Sequence, residues 1–313
     1  MPHLNSIFGE TRPWMRSWPK GISFLLTAVP VLMLLAVISL TVWQSMPAIK
    51  GIGIGEIFST EFVGKFTAST HVYGMLPAIW GTVMVVILAL GIALPASLAL
   101  AVISSEFRLG VVSRSIRNAL TLLSGIPPIV YALLMVVFVE LIMKPKFSLN
   151  NNTLLGGLMV ALMIIPFMAP LIDDAIKNVP RELKEGSLAL GMSRWHTLWH
   201  ITLPNSMAGI ISAISLGSLK AIGDLIIVTF AIGYERPAAA PDMTNPLWDI
   251  LESTPTLTSS AANLAGGFQV RGSCEGYDCA VAYLTALFLL IIAFGIMILL
   301  TIITSRLKKV SIK

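Results

Sequence analysis

Lys220 and Asp224 stand four residues apart inside the apolar run SLGSLKAIGDLIIVTFAIG, residues 215–233. A charge at mid-span costs roughly 2.5–3.5 kcal/mol on insertion scales, so two charges facing lipid alone would cost several kcal/mol. If the run is one helix, the spacing puts both on one face, turned to a polar interior where they pair. A bracing salt bridge is the reading without function. Lys before Asp is the less favourable order for an i, i+4 pair, which favours a role in a transport pathway or a proton relay. Other reactive side chains point to less. His196 and His200 in HTLWH have metal-compatible spacing but lack the glutamate of H-E-x-x-H, so surface exposure or partner contact is the reading. Cys274 and Cys279 in RGSCEGYDCA form a disulfide across a short turn in an oxidising compartment, or remain two free thiols. Two cysteines alone are not a metal site.

The chain also lacks the parts of an enzyme. It has no G-x-x-x-x-G-K-[ST] loop for ATP hydrolysis, and GIGIGE at 51–56 fails the dinucleotide spacing and reads as a loop. No nucleophile and base share a span, which argues against an intramembrane hydrolase.

The elements that must position these residues are membrane helices. The 313 residues are 56% hydrophobic and only 12% charged, with a mean hydropathy of +0.84. A bilayer span needs about 20 apolar residues, because unpaired backbone groups are too costly in hydrocarbon. Six stretches qualify, near 21–44, 74–104, 116–143, 154–177, 206–233 and 279–305. The expected fold is an all-α membrane protein with six transmembrane helices. Short tails, 1–20 and 306–313, flank a single membrane unit over 21–305. The first span lacks a small-residue cleavage site and is expected to be retained.

Pro95, the SGIPPIVY segment, Pro166 and Pro170 predict kinks or breaks. Such breaks accompany transport pathways, although packing of small residues between helices explains each one singly. Fourteen of the 21 Lys and Arg fall on one side if both termini are cytoplasmic, and the cationic side is the cytoplasmic one. The formal charge of +5 then reflects topology and not nucleic-acid binding. Residues 234–278 form an outer loop rich in Pro, Ala, Ser and Thr, with a short helix expected around NPLWDILES. Glu140 is assigned no role, and Asp173 with Asp174 is expected to cap a helix or pair with Lys177.

The loop 178–205 is the most informative segment. Leu183, Ser187, Leu190 and Gly191 recur at helical spacing, and Gly191 suits a left-handed helix end. A second amphipathic turn follows, with Trp195, Leu198 and Trp199 as an apolar patch, until Pro204 stops the pattern. Two short helices joined at a glycine make a knob that enters a partner's groove or lies at the membrane interface.

On these residues the chain resembles the binding-protein-dependent ABC permeases. Glu185, Gly186, Ser187, Gly191, Ile201, Leu203 and Pro204 occupy the positions of that family's loop signature in register. Gly186 and Ser187 replace the usual alanines, an exchange expected to keep close-packing volume. The resemblance extends over nearly the whole chain and within the family to phosphate permeases of the PstC type. It is carried by GEIFSTEFVG, IWGT at 79–82, SGIPPIVY at 124–131, VPRELKEGSLALG at 179–191 and TLTSS at 256–260. It implies a type I ABC importer permease in the plasma (inner) membrane, with 178–205 as the loop coupling it to its ATPase. It further implies a second permease subunit, two cytoplasmic ATPase subunits and an extracytoplasmic phosphate-binding protein. ATP and Mg would be held by the ATPase, and no cofactor by this chain.

The phosphate permeases carry Arg and Glu where this chain has Lys220 and Asp224. Phosphate is the implied cargo, with molybdate, tungstate or sulfate as alternatives. An ion-coupled secondary transporter, with the pair as a titrating relay, is the competing class, and the loop signature argues against it.

Overall fold

The structure is a computed structural model describing residues 13–51, 54–58, 74–106, 110–138, 141, 152–224, 227–229, 254–264 and 277–311. Among these residues all regular structure is helical. In chain order α1 is Pro13–Gly51, α2 Ile54–Ile57, α3 Leu76–Ser105, α4 Val111–Ser124, α5 Pro128–Phe138 and α6 Thr153–Lys177. Then come α7 Arg181–Ala189, α8 Arg194–Thr197, a π-helical turn Leu198–Thr202, α9 Leu203–Gly223, α10 Leu257–Leu264 and α11 Tyr277–Ser311.

Five described helices are long and apolar enough to cross a bilayer; α4 and α5 make a sixth if they are one span, bent by 93°. The bend falls at the SGIPP segment, where Pro127 and Pro128 supply no N–H and cannot continue the ladder of α4. Gly125 and Ile126 donate back to the carbonyls of Leu122 and Leu123, at 3.2 and 3.1 Å, which closes the first helix. The Tyr131 hydroxyl then bridges the break to the Leu123 carbonyl at 3.1 Å. Pro95, Pro166 and Pro170, by contrast, lie inside α3 and α6 without ending them.

The observed ends correct several expectations. Helical backbone runs from Pro13 and on to Ser311, so both expected tails contain helix. The GIGIGE segment includes the turn α2 instead of being loop throughout. The expected span 206–233 is broken at Asp224: α9 ends at Gly223, 227–229 are helical again, and 225–226 and 230–233 lie outside the described residues. The expected helix around NPLWDILES, Glu140 and Cys274 lie outside the described residues, as does most of 234–278.

Helix α6 is the centre of the bundle. Its Met163, Ile164, Met168, Ile172 and Ile176 are buried against Val85, Ala89 and Ala93 of α3 and Ile210, Ala213 and Ala221 of α9. Between membrane helices the driving force is close packing, which small residues permit. A Cβ on Gly209 would lie 2.4 Å from the Ala175 Cβ, and one on Gly217 would lie 2.6 Å from the Met168 Sδ. A second cluster joins α1, α2 and α11 through Ala48, Ile57, Met75, Ala280, Val281 and Leu284.

The TLTSS segment folds back into the bundle as the start of α10, with Thr256, Leu257, Thr258, Ser259 and Ser260 all buried. Two hydroxyls and a backbone carbonyl from three other helices meet the groups that 254–258 bring. Thr82 of α3 accepts from the Leu257 N–H at 2.9 Å, and Thr153 of α6 accepts from the Thr254 N–H at 3.3 Å. Thr258 donates to the Ile222 carbonyl of α9 at 3.3 Å. Thr256 and Ser259 cap each other reciprocally, each side-chain oxygen accepting from the other's N–H.

Gly81, in the IWGT segment, lets this happen, because a Cβ there would lie 2.2 Å from the Pro255 carbonyl oxygen. Gly81→Ala forces two backbones apart and lowers stability by about 1–3 kcal/mol, the range for overpacking. The expected readout is a lower thermal midpoint of the purified protein. Gly91→Ala on the same helix, where an added Cβ meets nothing within 4 Å, leaves the midpoint unchanged or slightly raised.

Candidate functional site

The projection between α6 and α9 is built from a sequence of local stops. Pro180 precedes α7 in extended geometry, and Glu182 lies in the first turn, where a carboxylate favours the helix dipole. At the other end Gly191 adopts φ +83°. Its N–H donates to the Leu188 carbonyl at 3.0 Å, and the Met192 N–H donates to the Ser187 carbonyl at 3.2 Å. That pair of bonds is the Schellman pattern, for which glycine is the usual residue. The Ser193 hydroxyl accepts from the His196 N–H at 3.2 Å and starts α8.

Pro204 does not stop the second helix, as its chemistry suggested. It sits in the first turn of α9, and the strain moves one turn back into the π-helical segment Leu198–Thr202. A proline leaves the carbonyl four residues earlier without its N–H partner and crowds it, which a widened turn accommodates. In the same turn the Asn205 side chain donates to the Ile201 carbonyl, next to the His200 carbonyl that Pro204 leaves, at 2.6 Å.

The signature residues divide by face. Ser187 and Leu203 are buried, Ile201 is half-buried, and Glu185, Gly186, Gly191 and Pro204 are exposed. Ser187 and Thr197 share a buried hydroxyl contact of 2.9 Å that joins α7 to α8. Gly186 packs against nothing, since an added Cβ there meets no atom within 4 Å. Leu198 turns into the core at 2% exposure and leaves the expected surface patch. Trp195 and Trp199 remain outside, their rings edge to face with centroids 5.7 Å apart, beside the 85% exposed Leu190. His196 and His200 stack at 3.9 Å, and no group of three potential metal ligands occurs among the described residues.

Charges tie the projection to the bundle. The Lys184 ammonium lies 2.5 Å from Glu106 Oε1 at the end of α3 and donates to the Ile176 carbonyl in α6 at 3.1 Å. Asp173 pairs with Lys177, as expected, and also with Arg117 of α4 at 3.6 Å. Both Lys184 and Arg117 have partners far along the chain, so sequence reading missed their roles.

Lys220 and Asp224 are placed differently from the helical reading. α9 ends at Gly223, and Asp224 takes an extended conformation as its C-cap. One Asp224 oxygen accepts from the Ile227 N–H at 2.9 Å. Lys220 is in the last helical turn, where a cation favours the dipole, and its Nζ lies 4.7 Å from the Phe167 ring centroid. The ion pairs among the described residues do not include one between Lys220 and Asp224. Cys279 is disulfide-bonded.

Comparison with known proteins decides the family. The model of the binding-protein-dependent transport system inner membrane component family matches residues 93–309, more than half of the chain and all of the projection. The chain belongs to that family. The permease is 28% identical over 292 residues to the probable ABC transporter permease protein YqgH of Bacillus subtilis, covering 91% of this chain and 90% of that one. It is 27% identical over 309 residues to the phosphate transport system permease protein PstC of Xylella fastidiosa, with the same coverage. Among solved structures it resembles a bacterial ABC transporter for alginate, at a TM-score of 0.63 and 17% identity, over 96% of this chain and 99% of that one. It also resembles the MetNI methionine ABC transporter, at a TM-score of 0.54 and 18% identity, over 75% of this chain and 94% of that one. The fold is that of a type I ABC importer permease.

The Ser187–Thr197 contact predicts a mutant pattern in this permease. Ser187 also donates to the Lys184 carbonyl at 2.8 Å, so losing Thr197 leaves Ser187 paired, whereas losing Ser187 leaves Thr197 buried and unpaired at a cost of about 1–3 kcal/mol, and removing both costs less. Ser187→Ala is expected to speed hydrogen exchange across 181–202, and Ser187→Ala with Thr197→Val to bring it back toward the wild-type rate.

Proposed function

We propose that the chain is a membrane-spanning subunit of an ATP-driven phosphate importer in the plasma (inner) membrane, with both termini cytoplasmic. The observation that carries this reading is the match to PstC proteins over about nine-tenths of both chains. Residues 178–205 are the ATPase contact. Exposed Trp195, Trp199 and Leu190 leave apolar area on a projecting knob, and such area is stabilised when a partner's groove covers it. Two ATPase subunits hold ATP and Mg, a second permease subunit completes the pathway, and an extracytoplasmic binding protein delivers phosphate. This chain performs no covalent step.

Lys220 supplies the cation that meets phosphate. Here its ammonium rests on the Phe167 ring, a contact worth roughly 0.5–2 kcal/mol, which a charge-assisted bond to an anion can replace. A lysine holds the anion as a point charge without the two-pronged grip of arginine, so release stays easy. Asp224 fixes the turn after α9 and accepts a hydrogen bond from protonated phosphate, while repelling fully ionised sulfate.

A second reading is a permease for molybdate, tungstate or sulfate. It is favoured by Lys220 and Asp224 standing where the phosphate permeases carry Arg and Glu. Vesicles reconstituted with the companion subunits separate the cargoes by which labelled oxyanion accumulates. Lys220→Gln is expected to abolish phosphate uptake while subunit assembly and ATP hydrolysis persist, and wild-type uptake by that variant would remove Lys220 from the pathway. Uptake is expected to survive collapse of the ion gradient and to stop on ATP depletion; the reverse result would indicate an ion-coupled transporter.

A further inference from the structure

Three consecutive residues of α7 behave differently: Leu183 and Glu185 are exposed, while Lys184 turns inward. Its ammonium reaches Glu106, 78 positions earlier in the chain, at 2.5 Å, and the side chains are only 19% and 23% exposed. At that burial the attraction is less screened than between surface ions. The same ammonium also donates to the Ile176 carbonyl at 3.1 Å. That carbonyl belongs to the last turn of α6, where it also accepts from the Val179 N–H at 3.4 Å and where a cation favours the helix dipole. One charge therefore holds the ends of two core helices together with the projection. The covalent route from α7 to α6 is Asn178 to Pro180. To α3, the Lys184–Glu106 pair is the ion pair that spans the gap among the described residues.

We propose that Lys184 is the positioning residue that makes α3 and α6 follow any displacement of α7, with Glu106 as its partner. This rests on residues 178–205 being the ATPase contact. A push on the exposed face of α7 reaches α6 through the backbone and α3 through the packing of α3 on α6, and this ammonium adds a direct tie from α7 to α3. When the bond is lost, the ATPase still docks on the exposed residues and hydrolyses ATP, while the core follows less faithfully.

The test uses the whole transporter, purified with its companion subunits and reconstituted, with ATP hydrolysis and labelled phosphate uptake read on the same vesicles. Lys184→Met is expected to keep assembly and basal hydrolysis but to lower phosphate imported per ATP by about fivefold or more, the usual span of coupling between sites. Lys184→Arg retains most of the ratio. Exchanging the charges, Lys184→Glu with Glu106→Lys, restores it above either single reversal. A wild-type ratio in Lys184→Met would overturn the proposal, as would an exchange variant no better than the single reversals. Assembly lost in step with uptake would also overturn it, because Lys184 would then be a folding residue. If wild-type vesicles accumulate another oxyanion and not phosphate, the cargo assignment fails, and the ratio taken with that anion decides Lys184 in the same way.

Discussion

A backbone group taken out of water must find its partner within the chain, and the shape of this permease follows from where its helices stop short of that condition. Continuous helices meet it internally. Breaks do not, and each break here carries its own supply of side-chain donors and acceptors. The end of α9 is met by Thr258 and Asp224, the return of 254–260 by Thr82 and Thr153, and the turn before Pro204 by Asn205. The polar residues buried in this apolar bundle are largely the consequence of its interruptions.

Those interruptions also sort the molecule mechanically. α3, α6 and α9 are pressed together through glycine and alanine contacts that leave no room for an added methyl group at Gly157, Gly209 or Gly217. Such packing transmits displacement, because dense interiors deform little. The projection is held internally by a hydroxyl pair and a glycine stop, and it joins the bundle through Leu198 in the core and the Lys184 ion pair. The bundle is thus non-polar and dense, while the projection adds polar, directional contacts to its buried leucine.

How much could be read beforehand depended on how local each determinant is. The glycine end of α7 was legible because all the necessary residues lie within one short stretch. The span 153–177 was legible because its apolar run is bounded by Asn152 and Asn178, the first of which caps it through the Leu155 N–H at 2.9 Å. The end of α9 was not. Lys220 and Asp224 have helical spacing, but Gly223 weakens the helix there and the competing partner, Thr258, lies in another segment. Leu198 was misplaced for a similar reason, since a π turn shifts the face that a regular period assigns. Lys184 looked like one more inner-side charge until folding brought Glu106 to it.

Helix α1 has a consequence for how such chains vary over descent. It rests on α11 along an outer cluster and leaves most of its surface bare, with Phe24, Leu32, Leu40 and Trp43 all exposed. Among the described side chains of α1, from Phe24 on, none enters the inner core around α6. The matched family region begins at residue 93, and the methionine transporter's chain aligns over three-quarters of this one. A first helix mounted on the perimeter can accept substitutions on its bare face without disturbing the packing around α6.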